Sequence, residues 1–596
     1  MQLLILVFRI IPEDWHRRFF CLIILYVVLG IFEMLGVASI LPFVALLADP
    51  QALDRSFVAE ILESITSLRL SSVPVHWIGV VVLTLFLATN VLALVSTWLS
   101  VRFSNRLAVR LATDVAARYF AQGYGFLRSQ SPSLLSNYTV REVEKIVSGG
   151  VLQLCLLVSR SFQVGLIFLL LAIVSPVFSL VFMLVSLFLY LFFYRILKGR
   201  LSVAGEDLIR SSGNAANSAD ELYSGAKEIM VRGNLDYFLG DLRKWLLRRG
   251  AADEIARVYP IVPKYAIELA AFSAILTIPI YKSWVGDEYQ SIIPFMALFA
   301  YAGYRLLPSL QQVFAAVSTL RFVGPTIEYF SVFFKEVPTQ VQRSSSVLGS
   351  FSTISVRAVS YVYPGTEKPT LNALSFDIKY GEKVAIIGVS GAGKSTLIDL
   401  LLGLIEPSAG ELRVDGIDCS RQGLVWEKGS LGYAPQSPMM LNTTIAENIA
   451  FGASGGGIDI ARCIEVAKMA RIHDVIEGLP DGYETSFGND GIVLSGGECQ
   501  RISIARALYQ SPAVAVFDEP TSALDPQGSR HLIGNLCDHA LGVTTIVVTH
   551  DWDVLDLFDR IIVLGNGSVL AEGSFSDVEA RVASMKHAQA QHRTAI

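Results

Sequence analysis

A glycine-rich loop between an apolar strand and an apolar helix is the clearest chemical feature of the sequence. The run Lys383–Ile387 leads into Gly388-Val-Ser-Gly-Ala-Gly-Lys394-Ser395-Thr396, which opens the helical segment Leu397–Leu404. Small residues let backbone N–H groups surround phosphates, and the helix N-terminus adds the positive end of its dipole. We expect Lys394 to reach the outer phosphates of a nucleotide and the Ser395 hydroxyl to bind Mg²⁺. An ordinary glycine turn is the alternative, which the strand–loop–helix context disfavours.

A second apolar run ends in two acidic residues. Ala513–Phe517 is followed directly by Asp518 and Glu519. An acid at a strand end can hold Mg²⁺ through water, and the next acid can polarise an attacking water. Such a pair alone is more often a solvated strand end. Together with the phosphate-binding loop, it predicts nucleotide hydrolysis.

Five further motifs carry a family resemblance. Leu494-Ser-Gly-Gly-Glu498-Cys-Gln-Arg501 resembles the signature sequence of ATP-binding cassette (ABC) proteins, with Glu498 in place of the usual Gln. The other motifs stand in the family's order: Tyr363 in Tyr-Pro-Gly, Gln436 in Tyr-Ala-Pro-Gln, Asp525 in Ser-Ala-Leu-Asp, and His550 in Val-Thr-His. The resemblance implies an α/β P-loop ABC nucleotide-binding domain.

The resemblance also implies a role for each matching residue. Glu519 would act on the attacking water, His550 would hold that water and the γ-phosphate in line, and Gln436 would contact Mg²⁺ and the water. Ser395, Gln436 and Asp518 would bind Mg²⁺. ATP would contact Tyr363, Gly388, Ser390, Gly391, Gly393, Lys394, Ser395, Thr396, Ser495, Gly496, Gly497 and Asp525.

Two copies of the chain are implied as well, because the family's signature binds the ATP that the opposite subunit holds. Glu519 and His550 are both present, so a homodimer would have two competent sites. One departure concerns Asn489, which stands where exporters usually carry a Glu that touches the coupling helices. This departure concerns the coupling of the two domains and not ATP hydrolysis.

The composition indicates a membrane protein with a soluble domain. The 596 residues are 52% hydrophobic and only 17% charged, where roughly 25% charged is usual, with a net charge of −5. These values exclude intrinsic disorder, a collagen repeat and a polybasic nucleic-acid binder. Six apolar stretches, each near or above the ~18 residues that span a bilayer, precede residue 330. They are Phe19–Leu47, Trp77–Leu99, Val151–Val174, Val177–Tyr194, Ile261–Tyr281 and Ile292–Phe314.

The distribution of charge between these stretches predicts the topology. Lys and Arg precede the first span and follow the second, fourth and sixth, whereas the other connections are acidic or short. The positive-inside rule then places both termini of this multi-pass protein in the cytoplasm. We expect a six-helix transmembrane domain over 1–330 with long cytoplasmic extensions and two coupling helices, a linker over 331–350, a nucleotide-binding domain over 351–580 and a tail over 581–596.

Four ionisable residues inside the predicted spans bear on the cargo: Glu33, Arg160, Lys264 and Arg305. Each costs at least about 2.5–3.5 kcal/mol at mid-bilayer unless it faces protein or water. Pairing of Lys264 with Glu268, or snorkelling of Arg160 and Lys264 to an interface, would explain them without any cargo. Arg305 has no acid nearby in the sequence and is therefore the stronger cavity candidate.

The context of these residues resembles that of the PglK-type bacterial flippases of lipid-linked oligosaccharides. The resemblance rests on Glu33–Phe43, the short segment near Asp54–Ser67, Val262–Lys264 and Tyr304–Pro308. It implies a protein of a bacterial inner membrane, with a polyprenyl-pyrophosphate glycan or a similar anionic lipid as cargo. A lipid A-type or multidrug exporter is the alternative within the class. A membrane-anchored regulatory ATPase without transport is the alternative outside it.

Overall fold

The fold is described from a computed structural model, and the chain divides into two compact units. The first comprises Met1–Gln122 and Phe126–Val341, and the second comprises Gly123–Gly125 and Gln342–Ile596. The structure describes residues 2–48, 75–174, 176–285, 289–338, 347–348, 351–363, 365–419, 425–452, 457–488, 492, 494–522, 524–539 and 542–594. Asn489 and half of the linker predicted over 331–350, namely 339–346 and 349–350, lie outside these ranges. The segment near Asp54–Ser67 also lies outside them.

The first unit is built from α-helices. They are α1 (Gln2–Ile10), α2 (His16–Ala48), α3 (Val75–Ala121), α4 (Tyr124–Ser129), α5 (Pro132–Asn137), α6 (Val143–Ile146), α7 (Leu152–Val174), α8 (Pro176–Ser224), α9 (Ala226–Arg232), α10 (Leu235–Val258), α11 (Val262–Val285) and α12 (Tyr289–Glu336). Single π-helical turns flank α6 at Tyr138–Glu142 and Val147–Val151. The short helices α4 and α9 directly follow the long helices α3 and α8 in the chain.

Five stretches of the described residues are long and apolar enough to cross a membrane: Glu13–Ile40, His76–Ala121, Pro132–Val174, Ser179–Ser224 and Ala297–Glu336. They coincide with five of the six predicted spans. The sixth prediction, Ile261–Tyr281, falls on the 24-residue helix α11, several of whose side chains lie outside the described residues. The helices run far beyond the apolar stretches, because α3, α8 and α12 are 47, 49 and 48 residues long.

Glycines let the long helices approach closely. A Cβ at Gly205 of α8 would lie 2.0 Å from the backbone oxygen of Phe322 in α12. A Cβ at Gly149 would lie 2.7 Å from the Val323 side chain. Protein interiors are packed too tightly to absorb such overlaps, so these positions require glycine where the helices cross. Phe314 and Phe330 fill the space between the helices and are fully buried.

The second unit combines two larger β-sheets with flanking helices. Its strands are β1 (Val347–Leu348), β2 (Thr353–Tyr361), β3 (Leu371–Lys379), β4 (Lys383–Gly388), β5 (Ala409–Val414), β6 (Ile417–Asp418), β7 (Val425–Trp426), β8 (Leu431–Ala434), β9 (Val514–Asp518), β10 (Thr544–Val548), β11 (Arg560–Gly565) and β12 (Ser568–Gly573). Its helices are α13 (Lys394–Leu401), α14 (Ile445–Ala450), α15 (Ile460–Met469), α16 (His473–Glu477), α17 (Gly496–Tyr509), α18 (Pro526–His539) and α19 (Phe575–Thr594).

The sheet order brings the motif-bearing strands together. The six-stranded sheet runs β12-β11-β4-β10-β9-β8, parallel except for the β11–β12 pair. The strands β4, β10, β9 and β8 are therefore adjacent and end at one edge. Side chains that follow the ends of adjacent parallel strands share that edge of the sheet.

The run Ser355–Val362 belongs to a different sheet. It forms β2, which pairs antiparallel with β3 and β5 in a separate four-stranded sheet of order β3-β2-β5-β6. The alternation of buried and exposed residues identifies a strand but not its partner, because register and pairing depend on contacts distant in sequence.

Candidate nucleotide site and membrane charges

The phosphate-binding loop is folded around its own lysine. Gly391 and Gly393 have φ angles of +79° and +97°, which only glycine adopts without strain. A Cβ at Gly393 would also lie 2.8 Å from the Leu371 side chain. The Lys394 Nζ donates to the carbonyl oxygens of Gly388 at 2.9 Å and Val389 at 3.1 Å. The loop thus has the compact shape that surrounds a phosphate, with Lys394 buried beneath it.

Glu519 is the centre of a hydrogen-bonded cluster at the strand edge. Its Oε2 accepts from Gln436 Nε2 at 2.7 Å, and its Oε1 lies 3.0 Å from His550 Nε2. Its φ angle of +52° is unusual for a residue other than glycine and turns the chain directly after β9. The carboxylate is therefore held on both oxygens by side chains from two different loops, which fixes its direction.

The electrostatics of this edge favour a bound cation. The pKa of Asp518 is raised to about 6, first by burial and then by the negative charges of the adjacent Glu519 and the nearby Asp399, while Lys394 opposes them. Burial lowers the pKa of Lys394, while the negative charges of Glu519 and Asp518 raise it. A divalent cation would offset the electrostatic repulsion between these two neighbouring carboxylates. Carboxylate, hydroxyl and amide oxygens are ligands that suit Mg²⁺, so the predicted set of Ser395, Gln436 and Asp518 fits that ion.

His550 is shifted toward its neutral form. Burial is the largest cause that lowers its pKa, and the positive charge of Lys394 lowers it further, while Glu519 opposes both. A neutral imidazole has one donor and one acceptor nitrogen, so it can bond the Glu519 carboxylate with one and keep the other for a ligand.

The signature segment forms a capping box at the start of α17. The backbone N–H of Ser495 donates to Glu498 Oε2 at 2.7 Å, and the backbone N–H of Glu498 donates to Ser495 Oγ at 3.4 Å. The Ser495 hydroxyl also donates to Glu498 Oε2 at 2.7 Å, and this hydrogen bond, together with the one from the Ser495 backbone N–H, lowers the pKa of Glu498. Glu and Gln both serve at this position of a capping box. The departure from the usual signature residue therefore preserves the helix start, and Ser495 and Gly496 stay exposed.

One functional residue was not predicted from the sequence. Gln500 is buried in α17, and its Nε2 donates to the backbone oxygen of Glu519 at 2.6 Å. Its Oε1 accepts from Ser522 Oγ at 3.4 Å. Gln500 thereby ties the signature helix to the residue that ends β9. The sequence shows Gln500 in the signature segment, two residues after Glu498. Only the fold shows that its amide hydrogen-bonds the backbone oxygen of Glu519.

The predicted nucleotide residues are brought together in part. Lys394, Gln436, Asp518, Glu519 and His550 share one edge through the contacts above. The Tyr363 hydroxyl lies 3.1 Å from Thr396 Oγ1, beside the same loop. Further positions predicted to contact ATP are exposed, namely Ser390, Gly391, Ser395 and Asp525. Within the described residues, no hydrogen bond links Ser495, Gly496 or Gly497 to the phosphate-binding loop of the same chain.

The membrane charges fall into two separate groups. Glu33 in α2 is 4% exposed, and its Oε1 lies 3.6 Å from Arg160 Nη1 and 3.9 Å from Arg305 Nη1. Arg160 also donates to Gln163 at 2.7 Å, and Arg305 donates from Nε to the Tyr301 hydroxyl at 3.2 Å. Arg305 therefore has an acidic partner from a distant helix, although the sequence around it holds none. Arg160 is paired in the same way and does not depend on snorkelling.

Lys264 lies elsewhere, in a cleft of about 520 Å³ between α11 and α12. Glu268, Tyr304 and Gln311 also line this cleft, whereas Arg305, Arg160 and Glu33 do not. The described residues show no ion pair between Lys264 and Glu268. The four predicted cavity residues thus do not form one site: three make a buried ion triad, and Lys264 is exposed at a separate opening.

Comparisons with known proteins agree with the site. Residues 371–522 match the family model of the ABC transporter domain. The chain is 37% identical over 225 residues to an ATP-dependent lipid A-core flippase of Burkholderia orbicola, and 39% identical over 223 residues to mouse ATP-binding cassette sub-family B member 5. These alignments cover 38% and 37% of this chain, and only 37% and 18% of those relatives' lengths.

Two further comparisons extend over the helical unit. The chain is 27% identical over 513 residues to an ATP-dependent lipid A-core flippase of Coxiella burnetii, which covers 84% of each protein. Among solved structures, a bacterial Atm1-family ABC exporter with ATP bound superposes with a TM-score of 0.77 at 23% identity, over 97% of this chain and 99% of the other. The chain therefore carries the nucleotide-binding domain of the ABC transporter family and has the fold of an ABC exporter.

Proposed function

We propose that this chain is one half of an ATP-driven exporter that moves an anionic amphipathic lipid across a bacterial inner membrane. The observation that carries the proposal is the Glu519 carboxylate, held by Gln436 and His550 at the strand edge that also bears the phosphate-binding loop. This arrangement suits hydrolysis of the terminal phosphate of ATP, a reaction that depends on positioning and charge stabilisation.

Each residue of the edge has a task in that reaction. Lys394 would exchange its two loop carbonyls for phosphate oxygens, and the loop N–H groups would surround the phosphates. Glu519 would orient the attacking water and receive its proton, while His550 would hold the water against the γ-phosphate. Mg²⁺, when bound at Ser395, Gln436 and Asp518, would neutralise charge on the phosphates.

The proposed assembly is a homodimer with both termini in the cytoplasm. Ser495 and Gly496 are exposed and make no hydrogen bond to their own phosphate-binding loop within the described residues. A second copy would place them on the ATP held by the first, which would complete both sites. Burial of the charged phosphates between two surfaces would then make dimer closure the step that permits hydrolysis.

The charge of the helical unit supports an anionic cargo. The buried triad carries two arginines against one glutamate, and Lys264 adds an exposed ammonium at its own cleft. A phosphorylated headgroup needs such charges, or water, to pass the hydrocarbon region. The narrowest form of the proposal is a polyprenyl-pyrophosphate-linked oligosaccharide. The similarity to two lipid A-core flippases favours a phosphorylated glycolipid of the lipid A type as the second candidate.

A flipping assay with the purified chain in vesicles separates these candidates. The cargo panel would comprise a polyprenyl-pyrophosphate glycan, a lipid A-core glycolipid and an uncharged lipid, each with ATP and without it. The proposal expects ATP-dependent movement of a phosphorylated lipid and none of the uncharged one. Movement of the uncharged lipid alone would contradict the anionic cargo, and ATP hydrolysis with no movement of any lipid would favour a regulatory ATPase.

Lys264→Gln tests the contribution of the cleft to cargo recognition. We expect a higher KM for the anionic lipid with little change in hydrolysis without cargo, because the ammonium is exposed and lies outside the nucleotide site. Lys198→Gln removes a charge from another exposed position, on α8, and is the matched control. Equal transport by both variants would contradict a role for Lys264.

A further inference from the structure

A groove lined by arginines lies in the helical unit between the start of α2 and the middle of α3. Its volume is about 410 Å³, and it is bordered by Arg17, Arg18, Arg102 and Arg106. Leu22, Leu25 and Leu99 form its apolar wall, with Trp15 and Phe103 beside them. We call this feature the arginine groove. It shares no residue with the Lys264 cleft or with the buried ion triad.

The four guanidinium groups lack an acidic partner in the part of the chain that the structure describes. None of them lies within 4 Å of a carboxylate oxygen among the described residues, whereas Arg110, one turn further along α3, pairs with Asp114 at 3.4 Å. Glu13 and Asp14 are the nearest acids in the sequence, but they are exposed on the preceding turn and do not line the groove. Four like charges around one opening repel each other, and an anion between them would relieve that repulsion.

The side chains are arranged as in a site for an amphipathic anion. The Arg18 guanidinium lies 4.8 Å from the Trp15 ring centre, and that of Arg102 lies 5.2 Å from the Trp98 ring centre. The Trp15 and Phe103 rings meet edge to face at 5.5 Å. Aromatic rings and arginines together are typical of the level of the lipid headgroups, and the leucine wall continues toward the apolar parts of α2 and α3.

We propose that the arginine groove binds an anionic phospholipid of the cytoplasmic leaflet, with the phosphate among the four arginines and the acyl chains along the leucine wall. The inference rests on the membrane insertion in the proposed function, but it is separate from the cargo. The groove is a lateral site on α2 and α3 that would hold a resident lipid. An uncharged or zwitterionic lipid lacks the net charge that this site selects.

Native mass spectrometry of the detergent-purified chain tests the proposal without ATP or transport. The chain is titrated with phosphatidylglycerol, with phosphatidylcholine of the same acyl chains, and with inorganic phosphate. We expect tight binding of phosphatidylglycerol only. Arg102→Gln combined with Arg106→Gln should weaken it about 25-fold, because each arginine near an anionic bilayer surface contributes about fivefold in affinity.

Arg110→Gln combined with Arg141→Gln removes the same charge from exposed positions outside the groove and should change the affinity less than twofold. An equal loss of phosphatidylglycerol affinity in both double variants would show that binding depends only on the net charge of the chain, which would overturn the proposed site. Equal binding of both lipids by the wild type would do the same. Strong binding of phosphate alone would show an ion site and overturn the lipid assignment.

Cys21 gives a second, local measurement, because it is exposed and lines the groove. Phosphatidylglycerol should slow maleimide modification of the peptide that contains Cys21 in the wild type and in the Arg110/Arg141 control. It should not do so in the Arg102/Arg106 variant, and phosphatidylcholine should protect neither. Protection that persists without Arg102 and Arg106 would contradict the proposal. A failed flipping assay with intact lipid protection would refute the transport proposal alone.

Discussion

Gln500 offers the sharpest test of how the signature helix is connected to hydrolysis. Its amide donates to the backbone oxygen of Glu519 at 2.6 Å, at the point where the chain turns with a φ angle of +52°. Gln500→Leu keeps a similar volume but leaves that carbonyl without its donor, which costs about 1–3 kcal/mol. Expressed entirely in the transition state, this is about a five- to 150-fold loss in kcat.

The assay is steady-state ATP hydrolysis by the full chain, together with its thermal unfolding. We expect kcat to fall while the KM for ATP stays within about twofold, since Lys394 and the loop are untouched. Whatever part of this cost is already present in the resting folded state lowers Tm instead of kcat, by at most about 12 °C at roughly 2–4 °C per kcal/mol for a unit of this size. Gln527→Leu, an exposed change in α18, is the control and should alter neither quantity. A lowered Tm with an unchanged kcat would refute the positioning role of Gln500.

Further predictions concern helix packing and the signature cap. Gly205→Ala should destabilise the chain by about 1–3 kcal/mol, because the added Cβ would overlap the Phe322 backbone oxygen. The control is Gly199→Ala on the same helix, whose Cβ meets open space and which should raise Tm or leave it unchanged. Equal Tm values for the two variants would contradict the close crossing of the helices. Glu498→Gln should keep the cap, whereas Glu498→Ala should cost about 1 kcal/mol. Ser495 lowers the pKa of Glu498 in the folded chain. The ionised Glu498 therefore contributes fully to folding stability at pH values above the ordinary glutamate pKa of about 4.3. The difference in Tm between wild type and Glu498→Ala should therefore shrink as the pH falls through the lowered pKa; a constant difference from pH 7 to pH 3 would contradict the hydrogen bonds of the capping box.

Much of the nucleotide site was predictable because its chemistry is local in sequence. The strand, loop and helix around Lys394 form one continuous segment, so spacing alone predicts their geometry. Glu519 directly follows β9 and His550 comes two residues after β10, and these adjacent parallel strands bring the two side chains to one edge. The contact of Gln500 with the Glu519 backbone depends on the path of a helix, which no local pattern reveals.

The membrane charges show where sequence reasoning fails. Arg305 was judged by its neighbours along α12, where no acid is near, yet Glu33 reaches it from α2 across more than 270 positions of chain. Lys264 and Glu268 have the spacing of a helical pair, but both line a cleft without an ion pair between them in the described residues. Partners of charges in a helix bundle come from facing helices, so sequence separation is a poor guide to which charges are free.

The most direct test of the central claim is ATP-dependent flipping of a polyprenyl-pyrophosphate glycan in vesicles that contain only this chain, compared with the Glu519→Gln variant. We expect movement of the lipid by the wild type with ATP. The variant should bind ATP but lose hydrolysis and flipping together by at least about 100-fold, because the group that takes the proton is removed. Undiminished hydrolysis or flipping by Glu519→Gln would contradict the account.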